Sequence, residues 1–374
     1  MITSDTFFDK LQEHYINKLP FVAYRQPGSK EIKGLLQTDD LVYTVETFEE
    51  KGFVFAPFDD SETSILIPLN NSEELQTSYV SGSVFASEIK QFPFNEKEKE
   101  LHIQLVEKGI KAIENHEFEK VVLSRRETLK IKDSSVFQIF ERLLSNYPLA
   151  FVYCWYHPKI GLWLGATPET LMKIEGHQFS MMALAGTQDY QGTLDVAWKD
   201  KEKKEQQIVT DFIVENLKSH VENIQVFDVE TVKAGNLVHL RTMISAKLKT
   251  NIFNLKDIVS ALHPTPAVCG MPKQVAKDFI MKNEDYKRMF YSGYLGELNY
   301  ETTISSRSSK RNIENRAYSI QRKCSQLYVN LRCMQIKNNM ALIYIGGGIT
   351  KSSNPEKEWE ETVSKSKIIK RVLS

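Results

Sequence analysis

Cysteine is scarce. The chain has four, Cys154, Cys269, Cys324 and Cys333, and none falls in a CxxC spacing. That argues against a zinc site and fits a reduced, cytoplasmic setting. An excess of one charge is missing too. The 48 basic residues match 48 acidic ones, so neither nucleic acid nor an anionic membrane is favoured as a partner of the whole chain. No run of about 18 apolar residues occurs. The opening "MITSDTFFDKLQEHYINKLP" mixes apolar and charged residues without the apolar stretch of a signal peptide. Internal repeats and Pro/Gly/Ser-rich linkers are absent as well. The expectation is a soluble cytoplasmic protein whose 374 residues form one large domain.

Short strands dominate what is present. Residues 1–95 read as strands such as "FVAYRQP", "GLLQT", "FVFAPF" and "TSILIPL". A helix is expected near 96–115. Strand "KVVLSRRETLKI" and helix "VFQIFERLLSNYP" follow. Two hairpins come next, one through "HPK" and one through "EGH". Beyond the long helix "KEKKEQQIVTDFIVENLKSHV" come "VHLRTMISAKL", "LKDIVSALHP", "PKQVAKDFIMKNE", "YSGYLGELN", "QLYVNLRCMQI", "NMALIYIGGGIT" and a closing helix. Strands arriving as hairpins, with helices placed irregularly between them, favour an α+β fold of antiparallel sheets flanked by helices. A basic stretch with Arg307, Lys310, Arg311, Arg316, Arg322 and Lys323 reads as a surface insert at 301–326.

Two helices carry carboxylates on their apolar faces. At about 100° per residue, Glu358, Glu361 and Lys365 share a stripe with Ile368 and Val372. In the helix at 202–217, Glu202 and Glu205 fall on the stripe of Val209, Phe212, Ile213 and Leu217, with Ile208 at its edge. A glutamate in a first turn can also simply answer the helix dipole. Two such pairs together are another matter, because four buried carboxylates would repel one another and be costly to desolvate. A divalent cation resolves the conflict, and hard oxygen ligands suit Mg²⁺. The expectation is therefore two helices facing each other across a metal, with an anionic substrate completing the site. Arg332 in "LYVNLRC" is either a core ion pair or a carboxylate clamp. Lys120 is either a snorkelling strand end or, if enclosed, a base of lowered pKa. Glu169, after Pro168, is either an exposed turn carboxylate or a positioned acid.

Taken in order, "KVVLSR", "GATPETL", "ALAGT", the Glu-x-x-Glu helix, "LHPTPAVCGMPK", "YSGYLGELN", "LYVNLRC" and "IGGGI…NPEKEWEETVSK" resemble the chorismate-binding enzymes. That group includes isochorismate synthases, salicylate synthases and the synthase components for anthranilate and aminodeoxychorismate. The resemblance covers residues 95–374, the catalytic core, and residues 1–95 match only in general character. It implies an α+β domain of antiparallel sheets around a buried site. It implies Lys120 as general base, Glu169 as general acid, and Glu205 and Glu361 as Mg²⁺ ligands with Glu202 and Glu358 beside them. It places Gly186, Thr187, His239, Ala267, Tyr291, Arg332, Gly347 and Lys365 against chorismate. Members that add ammonia typically carry Gln where this chain has Lys120, and salicylate and anthranilate types tend to carry Thr where it has Ala267. Both positions therefore resemble isochorismate synthases, acting as monomers without a glutaminase subunit, for menaquinone or siderophore synthesis. The alternatives are a salicylate synthase, an aminodeoxychorismate or anthranilate synthase component, and a non-catalytic binding relative.

Overall fold

The computed structural model describes residues 1–79, 95–131, 135–234, 237–249, 254–304 and 320–373. Helix α1 (Ser4–Ile16) leads into β1 (Phe21–Arg25), β2 (Glu31–Gln37), β3 (Tyr43–Val45), β4 (Gly52–Ala56), β5 (Ser64–Pro68) and β6 (Ser72–Ser78). Next come α2 (Glu96–Glu114), β7 (Lys120–Lys130), α3 (Val136–Asn146), β8 (Phe151–His157), β9 (Gly161–Thr167), β10 (Thr170–Glu175) and β11 (Gln178–Asp189). Helix α4 (Asp200–Leu217) precedes β12 (Val221–Val226), β13 (Glu230–Ala234), β14 (Leu237–Leu248), α5 (Leu255–Leu262), β15 (Gly270–Met271) and α6 (Lys273–Asn283). The remainder is β16 (Tyr294–Ile304), β17 (Ile320–Val329), β18 (Cys333–Lys337), β19 (Met340–Ile349) and α7 (Pro355–Leu373).

These strands make two antiparallel sheets in an α+β fold. The first has the order β15-β7-β19-β18-β9-β8-β1-β2-β6. The second runs β12-β14-β11-β10-β17-β16-β4-β5-β3, with β13 also pairing to β14. The first ninety residues thus supply strands to both sheets. Strand β8 shows how the sheets are cemented. Phe151, Tyr153 and Trp155 enter an aromatic core shared with Phe53 and Phe55 of the second sheet and with Phe290 and Tyr328. The alternate residues Val152 and Cys154 pack outward beneath α1, α3 and α7. A strand buried on both faces reads as one unbroken apolar run, which is why its period of two is invisible in the sequence. Among the described residues no helix is long and apolar enough to cross a membrane.

The structure corrects several expectations. Helix α1 occupies the start of a stretch read as short strands; its Thr3 side chain accepts from the Thr6 N–H at 3.2 Å, and Phe7 and Leu11 are fully buried one turn apart. The run "QLYVNLRCMQI" is not one strand. It breaks at Asn330–Arg332, where the chain crosses from the second sheet to the first. On α7 the buried isoleucine is Ile369, while Ile368 is half-buried. The proposed insert at 301–326 is narrower than that range, because β16 and β17 pair as far as Ile304 and Ile320. Its central residues, with Arg307, Lys310, Arg311 and Arg316, lie outside the described residues.

Candidate active site

The crossings between sheets build the site. Lys120 begins β7, which pairs along its length with β19, so the Gly346–Gly348 run of β19 lies against Ser124–Val122. Glu169 sits in the two-residue passage from β9 to β10, where the chain changes sheet. Arg332 sits in the other crossing, at φ +48°. Asn330, fully buried beside it, accepts from the Tyr153 hydroxyl at 2.6 Å and donates to the Phe290 carbonyl at 2.9 Å. These bonds pin the turn. Gly186 occupies a bulge of β11 at φ +73°, a conformation that favours glycine, and a Cβ there would come within 3.0 Å of Glu202 Cβ.

Together these elements enclose a cleft of about 760 Å³, its mouth included. Lys120, Glu169, Gly186, Thr187, Glu205, His239, Ala267, Tyr291, Arg332, Gly347, Glu361 and Lys365 all line it. Every predicted catalytic and substrate-contacting residue is therefore brought to one place. The glycines of β19 are a steric requirement. A Cβ at position 346 would meet the Tyr291 hydroxyl at 2.7 Å, and one at 348 would meet Lys120 Cε at 3.2 Å and the Glu205 carboxylate at 3.6 Å. The neighbouring strand β7 is tied by a buried pair the sequence reading did not single out. Arg288 binds Glu284 at 2.6 Å and donates to the carbonyls of Val122 and Val268, while Glu284 accepts from the N–H and hydroxyl of Ser124. One ion pair thereby couples the strand of Lys120 to the turn of Ala267.

Burial sets the electrostatics. Lys120 is 2% exposed, and burial pushes its ammonium pKa down against the pull of Glu205 and Glu169. Burial pushes the Glu169 carboxyl the other way, up to about 8, although Lys120 and Arg332 oppose it. His239 is driven down to about 3, chiefly by burial, so it is neutral. Its Nδ1 lies 3.0 Å from the Gly186 carbonyl and so carries the proton, and its buried Nε2 has no partner. That leaves an unpartnered acceptor on a residue that lines the cleft. Burial also raises Tyr291 to about 12, keeping its hydroxyl protonated.

The carboxylates of α4 and α7 divide into three kinds. Glu205 is buried and its pKa is raised by burial, whereas Glu361 is held low because Lys365 and Lys201 outweigh burial. Lys365 reaches Glu361 at 2.5 Å and the Gly346 carbonyl at 2.9 Å. Glu358 is buried behind the cleft and pairs with Lys201 at 2.6 Å. Glu202 stands apart: its carboxylate accepts from the Lys199 N–H at 3.1 Å as part of the N-terminal cap of α4. Among the described residues no group of three or more His, Cys, Asp or Glu side chains forms a ready-made metal cage. Yet Glu205 Oε1 and Glu358 Oε2 are buried without hydrogen-bond partners. A Cβ on Gly347 would lie 3.7 Å from Glu358 Oε2 and 3.8 Å from Glu361 Oε1. An all-oxygen donor set with unsatisfied lone pairs fits Mg²⁺.

A polar cleft between antiparallel sheets, lined by buried titratable groups with opposed shifts, is the architecture of a small-molecule site in an α+β protein. The chain belongs to the chorismate binding enzyme family, whose profiles match residues 56–308 and 318–371. It is 29% identical over 287 residues to the isochorismate synthase MenF of Escherichia coli, covering 72% of this chain and 59% of that one. It is 30% identical over 269 residues to MenF of Pasteurella multocida, covering 68% and 57%. The chain thus spans less than two thirds of the length of these curated relatives. The solved structure of the menaquinone-specific isochorismate synthase MenF from Escherichia coli superposes with a TM-score of 0.73 at 21% identity, covering 95% of this chain and 89% of that one. The likeness in fold therefore reaches further than the likeness in sequence.

Proposed function

We propose that this protein interconverts chorismate and isochorismate. The observation that carries the reading is the pair of opposed shifts in one cleft, a buried lysine pushed towards its neutral form and a buried glutamic acid pushed towards its protonated form. Two groups separated in this way are a base and an acid. Neutral Lys120 takes a proton from water as its oxygen bonds to C2 of chorismate. The ring double bonds shift, the C4–O bond breaks, and Glu169 gives its proton to the departing hydroxyl, which leaves as water. Arg332 and Lys365 hold negative charge on the substrate, and the His239 Nε2 lone pair accepts from a substrate hydroxyl. Mg²⁺, held by Glu205 and Glu361 with Glu358 beside them, would place positive charge at the ring carboxylate. Lys120 favours water over ammonia, and Ala267 presents an apolar wall where a hydroxyl could help position another nucleophile. The isochorismate synthases among its relatives support the same product.

Chorismate and Mg²⁺, with neither ammonia nor glutamine, should give isochorismate and stop at an equilibrium mixture. Starting from isochorismate should give the same mixture, because one base–acid pair serves both directions. Chromatography after long incubation decides it. Salicylate with stoichiometric pyruvate, or an amino product that needs added ammonia, would overturn the assignment.

The pH dependence follows from the same pair. The rate requires Lys120 without its proton and Glu169 with one. It should be bell-shaped in pH, with one limb near pH 8, where Glu169 titrates, and the other where Lys120, its ammonium pushed down by burial, titrates. Initial rates across the neutral and alkaline range test this. A profile with no inflection near that pH would remove Glu169 as the acid.

A further inference from the structure

Lys201, in the first turn of α4, has no part in the base–acid pair, yet it reaches into the carboxylate group. Its ammonium lies 2.6 Å from Glu358 Oε1 and 4.0 Å from Glu205 Oε1. Glu358 is 3% exposed and Glu205 8% exposed. The other Glu358 oxygen and Glu205 Oε1 itself have no hydrogen-bond partner, so the ammonium only partly satisfies the two groups. Glu361, by contrast, has its own lysine in Lys365 at 2.5 Å. Lys201 is also placed for this task by the helix. It stands four residues before Glu205, on the same face.

The carboxylates already hold ammonium partners. Lys201 pairs with Glu358 and Lys365 with Glu361. A divalent cation arriving alone would add two positive charges here, with an ammonium already between two of the oxygens it needs. A cation arriving with a dicarboxylate adds no net charge.

We infer that the Lys201 ammonium holds the place between Glu358 and Glu205 that a divalent cation needs, so that the metal binds only by displacing it. This rests on the metal reading of the two helices. Lys201 is then a positioning residue. It neutralises the carboxylates while the site is empty, keeps affinity for the free metal low, and makes metal binding depend on the dianionic substrate that offsets the metal's charge.

The test is calorimetric titration of MgCl₂ alone into chelator-stripped protein, with thermal melts of the metal-free forms. Lys201→Met removes the charge. Lys201→Gln removes it but keeps a donor for Glu358, in case the first variant does not fold. Lys201→Arg keeps the charge. Both uncharged variants should melt at a lower temperature than wild type without metal and bind Mg²⁺ on the order of tenfold more tightly. The arginine variant should bind as weakly as wild type. Equal or weaker Mg²⁺ binding by Lys201→Gln, against measurable binding by wild type, would overturn the inference and leave the metal reading standing. No Mg²⁺ binding by wild type or any variant, with or without chorismate, would remove the metal reading and the inference with it.

Discussion

Lys120→Ala is expected to lower turnover by roughly 10²–10⁴-fold, and Glu169→Gln by a similar factor, the usual range for a general base or acid. Both side chains act on one substrate in one passage through the reaction. The double variant should therefore lose far less than the product of the two factors. Steady-state rates with chorismate, beside melting curves that show each variant folded, provide the measurement. Lys120 is fully enclosed, so its loss also leaves a void. Lys120→Met fills that void without a titratable group, and should be as inactive as the alanine variant if proton transfer is what has been lost. Near-normal turnover in either would end the assignment of Lys120 as base.

Glu205→Gln and Glu361→Gln should each abolish Mg²⁺-dependent turnover, yet they should move the stability of the metal-free protein in opposite directions. Glu205 has its pKa raised by burial. Its folded state favours the proton, so above the unfolded carboxylate pKa its ionised form weighs against folding. Glutamine removes that charge, and the variant should melt at the same temperature as wild type or higher. Glu361 has its pKa lowered, because Lys365, Lys201 and Arg332 together outweigh burial. It contributes stability above the unfolded pKa that is lost as pH falls through the folded one. Glutamine there strands the Lys365 ammonium, and the melting temperature at neutral pH should fall. Activity against Mg²⁺ concentration, with melts in chelator, reads both effects. Full activity in both variants would sink the two-helix metal site.

Part of this cleft could be read from residues out of place in their elements. Glu205 and Glu361 announce themselves as carboxylates on apolar helical faces, whereas only the family resemblance assigns Glu169 as an acid and marks out Gly186, Thr187, Ala267, Tyr291 and Gly347. What escaped depends on local geometry without a periodic signal. Glu202 has the right phase on the wheel, but the first turn of α4 leaves an N–H that its carboxylate satisfies instead. Arg332 seemed to lie in a continuous strand because a residue at positive φ leaves no mark in a run of apolar neighbours. Ile368 and Ile369 differ by one helical step, within the error of an ideal wheel. Lys201 was legible in principle. Its spacing of four from Glu205 places a cation on the carboxylate face, but a search for ligands passes over the group that opposes them. Strands β12 and β13 are short and largely exposed, so no apolar pattern advertises them.

The chain order of the first sheet bears on how the protein is made. Strands β7 and β9 are separated there by β18 and β19, which come later in the chain than both. A nascent chain on the ribosome therefore carries two open β-edges from the time Thr167 emerges until the stretch beyond Cys333 follows. Open edges recruit strands from other molecules. The β18–β19 hairpin that brings the glycines to the cleft is thus also what removes both edges. Translation stopped anywhere between them would release a chain without a site and with a strong tendency to aggregate.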